Sequence, residues 1–235
     1  MAASALRLLV FDLDGTLIDS SLDLCNSINA TLEHVGKPAL PNATIASYIG
    51  DGAAMLVRRA LGDPGDADSL EPSNDALFRT AFSFFLTYYR THKLDNTYVY
   101  PGVHDALALM REQHPDVLMA VLTNKPVGPS RAICDALGLS PFFFQNYGGD
   151  SFATKKPDPE GLQMIFAEAR AIFPGLTLDE VVMIGDSDVD VLTARRAGVR
   201  SLGCSYGLAP HAMAAAEPDH IVAHASEWPE ALGLL

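Results

Sequence analysis

Val10-Phe11-Asp12-Leu13-Asp14-Gly15-Thr16-Leu17 is the stretch on which the reading of this chain turns. The apolar run that leads into it (Leu6, Leu8, Leu9, Val10, Phe11) has the length of a buried strand and is too short for a core helix. Two carboxylates stand where that strand ends, and Gly15 breaks the direction of the chain at once. In an open parallel sheet, ligands bind just beyond the carboxyl ends of the strands, so Asp12 and Asp14 point into a prospective site. A solvated turn at Asp14-Gly15 is the plainer alternative. The stretches further along decide between the two.

Working outward, the same device recurs. Val117 to Leu122 reads as a strand that delivers Thr123-Asn124 to its carboxyl end, and Val181 to Ile184 as one that ends at Gly185-Asp186. Phe142-Phe143-Phe144 with Tyr147, Val199 to Cys204 and Ile221-Val222 read as further strands. Helices fall between them, the one before Val199 closing on Arg195-Arg196-Ala197-Gly198 with cations in its last turn and glycine as its stop. Alternating strands and helices imply a parallel, doubly wound, Rossmann-like α/β sheet with helices on both faces.

One segment breaks the alternation. After Ile18-Asp19, with Ser20 or Ser21 as its cap, a helix runs through Leu24, Ile28 and Leu32 to a stop at Gly36-Lys37-Pro38. Ala53 to Leu61 forms a second helix introduced by Gly50-Asp51-Gly52, Asp63-Pro64-Gly65-Asp66 a loop, and Asn74 to Arg90 a third helix that is apolar on nearly every side. The expected organisation is an α/β core from residues 1–17 and 97–235, interrupted by an all-helical insert over residues 18–96. The aromatics of the third helix (Phe78, Phe82, Phe84, Phe85, Tyr88, Tyr89) fill the insert's own core on this reading, with a dimer surface as the alternative, so the chain is a monomer or a homodimer.

At 235 residues, 49% hydrophobic and 19% charged, the chain is globular and long enough for one sizeable domain carrying an insertion. A formal net charge of −13 excludes nucleic acid as a partner, because a phosphate backbone would be repelled. It also means that an anionic substrate needs positive charge supplied locally. No apolar run reaches the roughly 20 residues of a membrane helix, so no membrane is expected. Strand-like sequence begins almost at the N-terminus without a signal-peptide pattern. Cys25, Cys134 and Cys204 lie far apart and read as reduced core thiols, which fits the cytoplasm. His220 and His224 share one face of a possible strand but have no matching acid or nucleophile, and read as core or surface residues.

Asp12-Leu13-Asp14-Gly15-Thr16, Leu122-Thr123-Asn124, Lys156-Pro157-Asp158-Pro159 and Gly185-Asp186-Ser187-Asp188-Val189-Asp190 resemble, in order, the four signatures of the haloacid dehalogenase-like hydrolases. Within that superfamily the chain is most similar to the bacterial phosphoglycolate phosphatases, over essentially its whole length. Acids at Asp12, Asp14, Asp186 and Asp190 that end two strands together would repel one another, and a hard cation with oxygen ligands relieves this, Mg²⁺ where the substrate brings phosphate oxygens. The resemblance makes the Asp12 and Asp186 side chains and the Asp14 backbone carbonyl its ligands. It also makes Asp12 the nucleophile, which forms an aspartyl-phosphate, and Asp14 the acid and base at the leaving oxygen. Thr123, Asn124 and Lys156 would bind the phosphoryl oxygens, Lys156 rather than Lys155 because the family's lysine directly precedes Pro-x-Pro, while Asp190 orients Lys156 or a metal-bound water and Ser187 supports it.

The helical insert corresponds to the family's cap. Gly50-Asp51-Gly52 resembles a Gly-x-Gly of the phosphoglycolate phosphatases, with Asp51 where the family often carries asparagine, and its helix ends in Arg59-Ala60-Leu61. Gly50, Asp51, Gly52 and Arg59 are the candidates for substrate contact, Arg59 for the carboxylate of 2-phosphoglycolate. The implied activity is Mg²⁺-dependent hydrolysis of a small phosphorylated metabolite, 2-phosphoglycolate first. Another small phosphate (a sugar phosphate or pyrophosphate), a phosphohexose mutase and a catalytically silent binding module are the alternatives.

Overall fold

The computed structural model describes residues 6–63 and 76–233. The Pro64-Gly65-Asp66 part of the expected loop and the start of the third helix at Asn74 lie outside the described residues. Eight strands form along the chain: β1 (Leu8–Phe11), β2 (Ile18–Asp19), β3 (Tyr98–Val99), β4 (Leu118–Leu122), β5 (Gln145–Tyr147), β6 (Val181–Gly185), β7 (Arg200–Cys204) and β8 (His220–Val222). Six of them pair in parallel in the order β5-β4-β1-β6-β7-β8, which puts β1 between β4 and β6.

Helices cover both faces of this sheet, and the alternation of β1 shows why its sequence is apolar throughout. Leu9 and Phe11 join one apolar cluster with residues of α5 (Val103–Gln113), α6 (Val127–Ala136) and α10 (Trp228–Ala231). Leu8 and Val10 join another with residues of α7 (Glu160–Ile172) and α8 (Asp188–Ala197). Phe11 and Trp228, both fully buried, meet with ring centroids 5.2 Å apart. The short α9 (Pro210–Ala215) lies against β7 and α8.

Among the described residues, four helices lie between β2 and β3: α1 (Ser21–His34), α2 (Asn42–Ala46), α3 (Ala53–Leu61) and α4 (Ala76–His92). They gather around a separate apolar cluster that includes Leu24, Ile28, Leu56, Phe78, Phe85 and Tyr89. The aromatic helix α4 thus turns Phe78, Phe85 and Tyr89 inward, while Phe84 stacks on His34 and Tyr88 on His92. Both ends of the segment meet at one place. β2 pairs antiparallel with β3, and the Asp23 carboxylate accepts hydrogen bonds from Asn96 N (3.0 Å), Asn96 Nδ2 (2.8 Å), Thr97 N (2.8 Å) and Thr97 Oγ1 (2.7 Å). Burial alone would raise the Asp23 carboxyl, but the hydrogen bonds from Thr97 and Asn96 outweigh it and hold it below the usual carboxylate value.

Several local expectations are corrected. Phe142-Phe143-Phe144 is not a strand: Ser140–Phe142 form a 3-10 turn, and the edge strand is Gln145–Tyr147. Phe142 and Phe143 pack against one apolar face of the sheet, Phe143 meeting Phe11 at 5.9 Å, and Phe144 against the other. Neither Ser20 nor Ser21 caps α1 through its side chain; Ser20 Oγ donates to Asp14 and Ser21 Oγ to Asp19. His224 lies beyond β8, so it shares no strand with His220. Among the described residues no helix is long and apolar enough to cross a membrane.

Candidate active site

The acids gather where β1 and β6 end side by side. Asp12 N donates to Ile184 O at 2.8 Å, continuing the ladder one residue past β1 and fixing Asp12 against the end of β6. Gly15, at φ +90°, then turns the chain beneath Asp186: a Cβ there would stand 2.2 Å from Asp186 Oδ2. Gly207 presses from the other side, its Cβ position 2.2 Å from that of Asp186. The Asp186 carboxylate held between them accepts hydrogen bonds from Leu208 N (2.7 Å), Ala209 N (3.3 Å) and Thr16 Oγ1 (3.3 Å). Glycine is required at both positions because the space for a side chain is already filled by the acid.

Lys156 enters from the loop before α7, with its ammonium 2.7 Å from Asp12 Oδ1 and 2.6 Å from Asp190 Oδ1. All three side chains are buried. Asp190 does not end a strand, as expected, but sits in the first turn of α8, where its other oxygen accepts from Ser187 N (3.1 Å) and Ser187 Oγ (2.7 Å) in a capping box. Ser187 therefore holds Asp190, and Asp190 holds Lys156. Both neighbouring carboxylates raise the Lys156 ammonium above its usual value, although burial opposes them, so the charge is kept.

Thr123 and Asn124 stand at the end of β4, as expected. Thr123 Oγ1 accepts from Lys125 N at 3.2 Å, which leaves the hydroxyl proton to donate elsewhere. Asn124 Nδ2 donates to Lys156 O and to Gly50 O, both at 3.0 Å, tying the lysine loop to the helical segment. Lys125 was missed in the sequence. Its buried ammonium lies 2.9 and 3.0 Å from the two oxygens of Asp14 and 4.8 Å from the centre of the Tyr89 ring. Ser20 Oγ also donates to Asp14, at 2.5 Å. The signal for Lys125 was its place directly after Thr123-Asn124, at a strand end already marked as facing ligand.

Asp12, Asp186 and Asp190 each place an oxygen within 4.8 Å of the others. Three carboxylates against the one Lys156 ammonium leave two negative charges in a buried space. Burial lifts the Asp12 carboxyl to about 6 despite Lys156, and burial with Asp190 and Asp12 nearby lifts Asp186 well above the usual range. Asp12 Oδ2 accepts no hydrogen bond from the described residues. This is the donor set and the charge deficit that a hard divalent cation fits.

The Gly50-Asp51-Gly52 loop touches the core. Lys155 Nζ donates to Asp51 O at 2.6 Å, and a Cβ on Gly52 would stand 2.9 Å from Asn124 O. Gly50 and Gly52 line a cavity between the two parts of the molecule together with Asp12, Asp14, Lys125 and Tyr89. Arg59 is directed elsewhere: its guanidinium pairs with Asp51 and donates to Tyr48 O at 3.1 Å, within the helical segment.

Comparison with known proteins gives one family. The family model described as haloacid dehalogenase-like hydrolase matches residues 9–204. A phosphoglycolate phosphatase of Chromobacterium violaceum is 39% identical over 204 residues, covering 87% of each chain. One of Pseudomonas putida is 40% identical over 208 residues, covering 86% of this chain and 70% of the relative. Among solved structures, that of a predicted phosphoglycolate phosphatase from Haemophilus somnus superposes with a TM-score of 0.84 at 30% identity, over 97% of this chain and 98% of the other.

Proposed function

Since the chain belongs to the haloacid dehalogenase-like hydrolase family, we propose that it is a Mg²⁺-dependent phosphomonoester hydrolase acting through an aspartyl-phosphate on Asp12. We propose 2-phosphoglycolate as its substrate, on the names of its relatives, and the cytoplasm as its compartment. The observation that carries the chemistry is the state of Asp12. One oxygen is fixed by Lys156 and the other receives no hydrogen bond from the described residues, so a buried carboxylate is held in place with a lone pair to spare.

In this reading Asp12 Oδ2 attacks phosphorus, the ester P–O bond breaks, and an acyl phosphate forms. Asp14 gives a proton to the departing alkoxide and later takes one from the water that cleaves the acyl phosphate. Thr123 Oγ1 and the Asn124 N–H donate to the phosphoryl oxygens, while the Lys156 ammonium neutralises the charge that develops on them. Asp190 keeps Lys156 from collapsing wholly onto Asp12. A cation held by the Asp12 and Asp186 carboxylates and the Asp14 carbonyl would supply the two positive charges the acids lack and shield the approaching phosphate from them. The helical segment, resting over the site, keeps bulk water from the acyl phosphate and acts as its cap.

Release of inorganic phosphate from 2-phosphoglycolate, a sugar phosphate and an aryl phosphate, each with and without Mg²⁺, tests this. The highest kcat/KM is expected for 2-phosphoglycolate, and Asp12→Asn should abolish turnover of all three in a protein with an unchanged circular dichroism spectrum. If the variant keeps even about a tenth of the wild-type kcat, covalent catalysis by Asp12 is ruled out.

A further inference from the structure

We propose that Lys125 of the core and the hydroxyl of Tyr89 of the helical segment together form the subsite for a substrate carboxylate two atoms from the ester oxygen. The inference rests on the phosphatase reading above and adds a basis for its selectivity. A chain of net charge −13 attracts no anion at long range, so recognition of a second negative group needs a cation inside the site. Among the described residues lining the cavity between core and insert, Lys125 is that cation.

Its position suits the purpose. Asp14 marks where the ester oxygen must lie, and Lys125 Nζ is within 3.0 Å of both Asp14 oxygens. An ammonium has three N–H donors, and the Asp14 oxygens use two. The third faces the Tyr89 hydroxyl, on the side where a carboxylate one methylene beyond the ester oxygen would come and could accept from both groups. Around it the cavity is walled by Leu24, Leu56, Phe85 and Leu86, so solvent screens the charge weakly and the attraction is strong.

Tyr89 supplies the second observation. Its side chain is buried, it lines the same cavity, and its hydroxyl faces the Lys125 ammonium but donates its own proton to no described residue. A buried phenol proton without an acceptor is costly in the absence of ligand. Asn124 Oδ1 accepts from no described residue, but it can only accept. The Tyr89 hydroxyl can donate, which is what a carboxylate needs. Since Lys125 follows β4 and Tyr89 belongs to α4, a carboxylate bound by both would join the helical segment to the core. Substrate recognition and closure over the site would then be one event.

The test compares 2-phosphoglycolate with ethyl phosphate, which has a methyl group in place of the carboxylate. Tyr89→Phe removes only a hydroxyl that donates to no described residue, and Lys125 keeps Asp14, so the variant should fold; Lys125→Met keeps the chain length but also releases Asp14. In both variants the ratio of kcat/KM for 2-phosphoglycolate to that for ethyl phosphate should fall. The fall should be roughly tenfold or more in Lys125→Met, mostly through KM, as for a lost hydrogen bond to a charged group. An unchanged ratio in Tyr89→Phe and in folded Lys125→Met overturns the subsite while leaving the phosphatase intact. An unchanged ratio in Tyr89→Phe alone removes the hydroxyl from it. A wild-type enzyme that hydrolyses the aryl phosphate but shows no preference for 2-phosphoglycolate over ethyl phosphate overturns it too. If the wild type releases phosphate from none of the three, both the subsite and the phosphatase reading fall.

Discussion

Replacing Asp190 by asparagine changes shape very little and charge by one unit, so its consequences can be worked out from the contacts. Asp190 Oδ1 accepts from Lys156 at 2.6 Å and Oδ2 accepts from the Ser187 N–H and hydroxyl. Asparagine can serve one of these sides with its carbonyl oxygen and must turn its NH₂ donors toward the other, where the Lys156 ammonium and the Ser187 N–H can only donate and the Ser187 hydroxyl alone could turn to accept. Removing one partner of a buried, hydrogen-bonded ion pair costs about 3–5 kcal/mol. Here the loss is smaller, because Lys156 keeps Asp12 at 2.7 Å and the repulsion on Asp12 and Asp186 is relieved. We expect about 2 kcal/mol, below that range, and hence a melting temperature lower by roughly 4–8 °C for a chain of this size. Ser187→Ala, which loses only the cap, should cost about 1 kcal/mol. Turnover should fall about tenfold or more in Asp190→Asn, since Lys156 is then drawn to Asp12 alone. The assay is denaturant unfolding of both variants, with phosphate release at saturating substrate. A variant as stable as wild type, or one damaged less than Ser187→Ala, would refute the role given to Asp190.

Removing divalent cations with EDTA should abolish turnover and lower the melting temperature, because a cation that binds only the folded cluster stabilises it by mass action. A melting temperature independent of added Mg²⁺ would count against the cluster as its site. Gly15→Ala places a methyl group 2.2 Å from Asp186 Oδ2 at φ +90°. It should cost more than the roughly 1 kcal/mol of the conformational effect alone, read by denaturant unfolding; a neutral outcome would show that the Asp186 carboxylate is free to move aside. Arg59→Ala should change stability by no more than about 1 kcal/mol, since its pairing with Asp51 is partly exposed. It should also leave the ratio of kcat/KM for 2-phosphoglycolate to that for an aryl phosphate in place, and a selective loss on 2-phosphoglycolate would return Arg59 to the substrate.

The core was legible because its strands are short, continuous apolar runs, each followed by residues that an ordinary surface turn does not need. Asp12, Thr123 and Asp186 all stand one residue past a strand, and the parallel pairing of β1 with β4 and β6 brings them together. What was not legible depended on distance in three dimensions. Lys125 carries no signal of its own in the sequence, and only its approach to Asp14 and Tyr89, far away in sequence, marks it out. β2 and β3, two residues each, are too short to show any period, and so is α2. Phe142-Phe143-Phe144 has the composition of a strand, but Pro141 and the 3-10 turn override it. Arg59 read as a substrate contact because the sequence could not show that Asp51 and the Tyr48 carbonyl already occupy it.

The pairing of β2 with β3 makes everything from residue 20 to residue 97 the loop of a hairpin whose stem springs from the turn after Asp14. The entropy of closing such a loop grows only with the logarithm of its length, by about 0.6 kcal/mol for each doubling. With the stem paired and Asp23 bonded across its base, the loop's size and internal architecture have little leverage on the carboxylates at the strand ends. The helical segment has its own apolar cluster, separate from those that flank the sheet. On the proposed reading, the part of selectivity that Tyr89 and the rest of the lid carry can change apart from the chemistry, while Lys125 stays with the core. A lineage could graft a different lid onto the same three strand ends and keep the core's acids and Lys156 in place, provided the graft begins and ends with a pair of strands that zip.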